Sequence, residues 1–553
     1  MNNQSSQLIQ GSAALGALAL AFYVLPYLLD PYDYRRRFPG PPLARFTNWW
    51  MSSLARAGNH SEAVRELHDK YGTFVRLGPN HISIADPDAL EIVYGHGSGL
   101  LKSEFYRVFQ GPAATTDVFN TTDKSEHSKK RRRLANIFSP QNVVAFEPRV
   151  RSHIRELCAQ WDLRCKEAAR GTAGVNWRAW DGRAVMNICA QASYLAFDII
   201  GDLALGLPFG LIQAQKDSSL SIESVDACGE PQRGTVEIPV VKTIARGGVT
   251  IMGVGFFPSW THRFLQLLPW NLAGLFDTFR FFKLTKISVN ARLKRGPKKN
   301  LDDGKQSIDL IDKLLEVKNE DGSPLSIHEL YAEAVLLLIA GSDTTSNTLS
   351  SLFYHMAIDP ELQQRLQAEL DKHILYDSSD EPDNKEGLAI TPHDAIAKYD
   401  DIKSLPYLNA CVKEALRIHS TVGTGLPRVV PPGKTITIRG QTFKAGSVIS
   451  VPSYTTNRMS VWGDDAEAFR PERWLDDHAG SLNKYFVPFS VGPRACIGRN
   501  LAYMDLMLIA ATIFRRYRLE ALPTTKMIVH ETFVRETAHC EIAIKLRDAS
   551  KSG

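Results

Sequence analysis

One ten-residue stretch, Phe489-Ser490-Val491-Gly492-Pro493-Arg494-Ala495-Cys496-Ile497-Gly498, constrains this chain more than any other part of it. A lone cysteine sits between two glycines, two residues after an arginine and directly before a helix-forming run. A helix that begins just after Cys496 offers unpaired N–H groups and the positive end of its dipole, and both favour a thiolate over a thiol. Gly492 and Gly498 suit a backbone that turns tightly or lies against a flat ligand with no Cβ in the way. Arg494 supplies a fixed cation for a ligand carboxylate, and Phe489 would keep water from the sulfur. With such parts a protein presents a thiolate to haem iron, where strong electron donation favours O–O cleavage. The plainer alternative is a structural cysteine in a Gly-rich loop, since free cysteine is among the most buried residue types.

Beyond residue 45 no Pro/Gly/Ser-rich linker divides the 553 residues, so 46–553 reads as one catalytic unit. A hydrophobic fraction of 44% supports a large core, and a net charge of +5 is too small for this length to argue nucleic-acid binding. The seven cysteines, Cys158, Cys165, Cys189, Cys228, Cys411, Cys496 and Cys540, form no CxxC pair. That spacing suits a reducing compartment, with neither a disulfide scaffold nor a zinc ribbon.

From Leu8 to Leu29 the chain is almost wholly apolar, long enough to cross a bilayer as a helix. Arg35-Arg36-Arg37 follow and no basic residue precedes, which places the bulk of the chain on the cytosolic side. Residues 1–30 are therefore expected to be a membrane anchor. Residues 31–45 would be a basic, Pro-rich spacer stiffened by Phe38-Pro39-Gly40-Pro41-Pro42. A cleaved signal peptide with Ala19-Leu20-Ala21 at its end competes, but it lacks a basic n-region and the apolar run continues past it.

The rest is expected to be mainly α with a small β portion. Tyr71–Leu77 and His81–Ala85 alternate like a strand pair around Gly78-Pro79-Asn80, and Thr435–Ile438 and Val448–Val451 read as further short strands. The polar run Tyr376–Glu386 reads as a surface loop. Ser326 and Glu329 form a capping box that starts a helix too apolar for the surface. Inside it lies Ala340-Gly341-Ser342-Asp343-Thr344-Thr345, and an Asp-Thr pair in a buried helix is costly unless it is used or satisfied by backward bonding. A kink or a satisfied core polar pair is the plainer account.

Glu414-Ala415-Leu416-Arg417 puts an acid and a base on one helix face, a weak signal alone. Phe469-Arg470-Pro471-Glu472-Arg473-Trp474 follows some fifty residues later. His127 and Arg131 share another helix face at i, i+4, within a basic run. In that run Lys129, Lys130, Arg132 and Arg133 are either a solvated face or a dock for an acidic partner.

These motifs, in this order, resemble those of the cytochromes P450, and the likeness covers nearly the whole chain beyond the anchor. It runs in particular to fungal microsomal members related to benzoate para-hydroxylase. The segments Tyr94-Gly95-His96-Gly97, Leu101–Tyr106, Ala196–Leu203 and Ile418-His419-Ser420-Thr421 carry it. The resemblance implies a P450 fold behind one transmembrane helix, with Cys496 as axial ligand to the iron of haem b. It implies that Arg494, His127, Arg131 and Arg428 meet the propionates while Phe489 and Gly492 shape the loop. Thr344 would hydrogen-bond oxygen at the iron in a local groove of the helix, and Asp343 would feed it protons. Glu414, Arg417 and Arg473 would form a structural network under the loop. Electrons would come from NADPH through NADPH–cytochrome P450 reductase, with cytochrome b5 as a second candidate donor, at the endoplasmic reticulum membrane. The expected reaction is hydroxylation of an aromatic ring.

Residues Arg107–Phe119, where such enzymes contact substrate, carry small residues and Arg107 as the one cation. That favours a larger, neutral, apolar aromatic substrate of a biosynthetic pathway, such as an indole alkaloid or prenylated indole diketopiperazine. The alternatives are benzoate 4-hydroxylase-type detoxification of small aromatic acids and a P450-fold isomerase or dehydratase that needs no reductase. The retained Asp343-Thr344 pair opposes the latter. Apolar residues in Val249–Trp270 are expected either to touch the membrane or to form a core helix.

Overall fold

The computed structural model describes residues 2–547 apart from 31, 112–114, 226–230, 297, 300–305, 308, 319–321, 375–395 and 478. The expected polar loop Tyr376–Glu386 lies outside the described residues, as does Cys228. At Ser326 the reciprocal capping box forms and opens a helix of 32 residues, Ile327–Ile358, about 48 Å long. Ala334, Leu338, Leu349, Leu352, Phe353 and Met356 on it are buried. The helix is the axis of the molecule and packs along Ile188–Leu205. Gly341 permits the approach, since a Cβ there would lie 2.7 Å from the Ile200 side chain. Helix Ile188–Leu205 has a mean hydropathy of 1.4 and would pass for a membrane span on length and composition, but 83% of it is buried, so it is a core helix.

The mainly helical architecture with a small β portion is as the sequence predicts. Phe74–Arg76 and His81–Ile84 pair antiparallel, and Val448–Ser450 adds to them in parallel. Arg428–Val429 and Leu101–Lys102 complete a five-stranded sheet. Ile436–Ile438 forms a separate hairpin with Gln441–Phe443. A second sheet joins Tyr517–Ala521, Glu541–Leu546, Arg183–Asn187 and Trp177–Trp180. Beside it a two-stranded hairpin, Ile528–Glu531 with Arg535–His539, reaches the long helix.

At the N-terminus Asn2–Leu28 is one helix, with Leu15, Leu18, Leu20 and Leu25 exposed. The segment after it is no free spacer. Tyr34 and Phe38 are buried, and the Phe38 ring stacks on Phe443 at 5.7 Å between centroids. The apolar stretch Val249–Trp270 divides: Met252 and Val254 are buried on helix Val240–Gly255, whereas Trp260, Phe264, Leu267 and Trp270 are exposed. All six cysteines among the described residues are free.

Candidate functional site

Cys496 lies in a closed turn. Its backbone N–H donates to the Phe489 carbonyl at 2.8 Å, and Ala495 N–H donates to Gly492 O at 3.1 Å. Helix Arg499–Arg516 starts directly behind it and packs against the long helix. Burial pushes the Cys496 thiol up, while the Gly498 N–H, Arg131 and Arg499 pull it back toward the thiolate. Phe489 packs on Tyr503 at 5.1 Å between ring centroids. Gly492 is required by the backbone itself. Its φ is +71°, and a Cβ there would sit 2.2 Å from Tyr94 O. Gly498, by contrast, has an ordinary φ of −81° and caps the helix. Replacing Gly492 by Ala is expected to cost at least about 1–3 kcal/mol from the left-handed backbone alone. The Tyr94 clash adds to that, and a thermal melt with haem content measured alongside checks the result.

Four elements bring cations to this turn. Arg131, on helix Lys124–Ala135, donates to Ala495 O at 2.6 Å. Arg494 donates to Thr121 O at 2.6 Å and to Thr122 O at 3.3 Å. Arg428 donates to the Tyr106 hydroxyl at 2.9 Å. Lys102, buried on its strand, donates to Phe119 O and lies 4.1 Å from the Tyr106 ring centroid. His127 is buried among them, its imidazole pushed down to about 3 by burial and then by Arg494, Lys102, Arg131 and Arg428. Burial and Arg428 likewise push Arg494 down to about 10. Lys102 is driven well below its usual range by burial, Arg428 and Arg494. Lys130, expected on an exposed docking face, is instead buried, its ammonium 2.9 Å from Thr116 O and 3.2 Å from Glu329. Lys129 and Arg132 remain exposed.

The long helix runs unbroken through Asp343 and Thr344. Its hydroxyls bond backward: Thr344 Oγ1 donates to Ala340 O at 2.8 Å and Ser342 Oγ to Leu338 O at 2.7 Å. Burial and then Glu536 push the Asp343 carboxyl well above the usual range, against a hydrogen bond from Ser342. Phe105, Tyr106, Phe109, Phe119, Phe256 and Phe533 pack edge to face or tilted at 5.2–5.7 Å between centroids. Arg107, expected as the cation of this segment, is exposed, because the short 3-10 turn Glu104–Phe109 turns Phe105, Tyr106 and Val108 inward instead. Pro112–Ala114 lie outside the described residues.

Behind the cysteine turn, the weak Glu-Arg signal becomes a buried network. Glu414 accepts from Arg417 Nη2 at 2.7 Å, Arg473 Nε at 2.9 Å, Trp474 Nε1 at 2.9 Å and the Arg470 backbone N–H at 2.9 Å. Arg417 also holds the carbonyls of Asn457, Ala466 and Ala468. The Trp474 ring packs on Phe486 at 4.7 Å, three residues before Phe489, so the network shapes the approach to the turn.

The profile of the family described as cytochrome P450 matches residues 39–541. The chain belongs to the cytochrome P450 family. Benzoate 4-monooxygenase bphA of Aspergillus niger is 36% identical over 536 residues, covering 96% of each chain. Pisatin demethylase of Fusarium vanettenii is 28% identical over 489 residues, 88% of this chain and 85% of that one. A crystal structure of a cytochrome P450 (CYP102L1) superposes with a TM-score of 0.67 at 19% identity, covering 92% of this chain and 99% of that chain.

This P450 is accordingly an oxidoreductase of the monooxygenase type, which takes haem-thiolate iron, electrons from a redox partner and a small-molecule substrate. The side chains around the cysteine turn fit such a group. Burial, and then the charges of Arg428 and Arg494 on Lys102 and of Arg428 and Arg131 on Arg494, depress the basicity of Lys102 and Arg494, against Asp117 acting on Lys102 and Asp123 acting on Arg494. A dianionic edge relieves that repulsion. Lys102 and Tyr106 went unassigned in the sequence because they reach the cluster from a strand and a 3-10 turn. Their signal was a lysine beside apolar residues in a strand, where an unpaired charge is not tolerated.

Proposed function

We propose that this P450 hydroxylates an aromatic ring of a neutral, apolar small molecule, in fungal secondary metabolism of the indole alkaloid or diketopiperazine kind. In this reading the Cys496 thiolate would hold the iron of haem b, and Arg494, Arg428, Arg131, His127 and Lys102 would hold its propionates. When bound, the haem supplies oxygen activation. The chain's own part is to shield the thiolate with Phe489, to hold a proton on Asp343, and to aim a hydroxyl from Thr344. Glu414, Arg417 and Arg473 keep the turn in shape.

The observation that carries the substrate class is the wall itself. Phe105, Tyr106, Phe109, Phe119, Phe256 and Phe533 pack together in it, and Arg107 is turned out of it to solvent. With Arg107 turned away a benzoate carboxylate loses that counter-charge, and a neutral polycycle meets ring edges and faces. A spectral binding titration tests this. Neutral indole diketopiperazines are expected to give a substrate-type shift at lower concentration than benzoate, and the reverse order would overturn the reading. Benzoate 4-hydroxylation is the second reading, favoured by the identity to bphA.

Electrons are assigned to NADPH through NADPH–cytochrome P450 reductase, aided by cytochrome b5, with exposed Lys129 and Arg132 at the dock. The exposed leucines of helix Asn2–Leu28 support an anchor over residues 1–30 in the endoplasmic reticulum membrane, with the body cytosolic. Replacing Thr344 by Ala is expected to lower product per NADPH by roughly tenfold, with the balance leaving as hydrogen peroxide. Parallel NADPH, peroxide and product measurements check it. An isomerase or dehydratase would show no such leak and would turn over without reductase.

A further inference from the structure

The hairpin Ile528–Glu531/Arg535–His539 sends one residue toward the long helix that no motif predicts. The docking is direct: Asn347 Oδ1, one turn beyond Asp343, accepts from Thr537 N–H at 2.6 Å and from Thr537 Oγ1 at 2.9 Å. The Asn347 amide in turn donates to Asp343 O at 2.6 Å. Next to Thr537 stands Glu536, half-buried, whose carboxyl accepts from the Thr532 hydroxyl at 2.8 Å. Thr532 itself lies at Gly248 of helix Val240–Gly255, close enough that a Cβ there would meet its Oγ1 at 3.1 Å. Glu536 therefore sits between two helices and beside Phe533, which packs against Phe109 and Phe119.

We propose that Glu536 is the proton-relay partner of Asp343, a second carboxyl that restores the proton each time Asp343 gives one up on the Thr344 side. This rests on the reading that Asp343 supplies protons at this site. In the step the Glu536 O–H bond breaks, an Asp343 O–H bond forms, and the Glu536 carboxylate regains its proton from water past the Thr532 hydroxyl. No electrons move. Burial and Glu536 raise Asp343 well above the carboxylate range, whereas burial, against the Thr532 bond, brings Glu536 up to about 7. Both carboxyls are thus raised out of the ordinary carboxylate range, so a proton can be held by either, and Glu536 can recharge at neutral pH.

The other charged and titratable groups about Glu536, among the described residues, leave it to this partner. His530 stands opposite in the hairpin register. Glu531 is held by the Ser61 backbone N–H and hydroxyl at its end of the hairpin. Arg535 reaches Glu62. On the neighbouring helix Arg246 is engaged by Asp277, and on helix Ile188–Leu205 Cys189 faces Thr537.

The test compares the full-length haem-loaded enzyme with Glu536→Gln, Glu536→Asp and Asp343→Asn. The first readout is an infrared titration of protonated carboxyls without substrate or reductase. The second is product per NADPH as a function of pH. The wild type is expected to lose a carboxyl band as pH passes about 7, and to leak more peroxide over the same interval. Glu536→Gln should abolish both steps and bring its coupling down toward that of Asp343→Asn at every pH. Glu536→Asp should restore a titration, so a Gln variant that does not fold leaves the Asp variant to decide. A Glu536→Gln enzyme that keeps wild-type coupling and its pH step overturns the proposal. If Asp343→Asn uncouples and Glu536→Gln does not, the relay alone falls. If Asp343→Asn is without effect, the proton-supply reading falls and the relay with it.

Discussion

Replacing Cys496 by serine is expected to leave a folded protein without monooxygenase activity. The side chain is accessible although the surrounding protein desolvates it, and the bond that closes the turn runs from its backbone N–H to Phe489 O. Serine keeps that bond and the φ/ψ demands of the turn, so the melting temperature should change little. What goes is the soft, electron-donating ligand that favours O–O cleavage. The reduced, CO-bound spectrum should lose its thiolate-type Soret band, and product should fall below detection with reductase and NADPH present. A variant that keeps both the band and the activity would remove Cys496 from the reading altogether.

The second large effect is structural. Glu414→Ala strands two guanidiniums in a fully buried site, Arg417 at 0% and Arg473 at 2% exposure. Removing one member of a buried ion cluster costs about 3–5 kcal/mol, because the remaining charge is left uncompensated. The carbonyls that Arg417 holds at Asn457, Ala466 and Ala468 would loosen with it, and through Trp474 and Phe486 so would the cysteine turn. Calorimetry should show a large drop in melting temperature, and the purified protein should carry little haem. The pH dependence has a definite sign. Burial pushes the Glu414 carboxyl up, but the Arg417 bond and the charges of Arg417 and Arg473 outweigh it, and the net shift is downward. Its contribution to stability is therefore present above the unfolded carboxylate value of about 4.3 and is lost as the pH falls below that. Acid should release the haem before the rest of the helical body unfolds.

What could be read from the chain alone follows the range of the interactions. The cysteine turn, the capping box at Ser326 and Glu329, and the i, i+3 pair Glu414–Arg417 are short patterns whose chemistry is complete within a few residues. The structure sets each of them where local physics requires. Glycines were harder. Gly492 answers to the Tyr94 backbone and Gly341 to Ile200, both far away in sequence, and neither demand is visible in its own neighbourhood. Charged residues were hardest, because their roles depend on which distant elements converge on them. Lys130 reads like its neighbours Lys129 and Arg132, yet it lies on the buried face of its helix and pairs with Glu329. Lys102 and Glu536 sit on short strands whose sequences carry no catalytic pattern, and only the docking of those strands gives them neighbours.

The burial of Tyr34 and Phe38 against Phe443 has a mechanical consequence. The N-terminal helix ends at Leu28 and the chain is locked to the five-stranded sheet region by Tyr34. Six residues of chain span at most about 20 Å. The body is thus moored on a short line rather than trailing on a leash, and whatever holds the helix also sets the tilt and height of everything behind it.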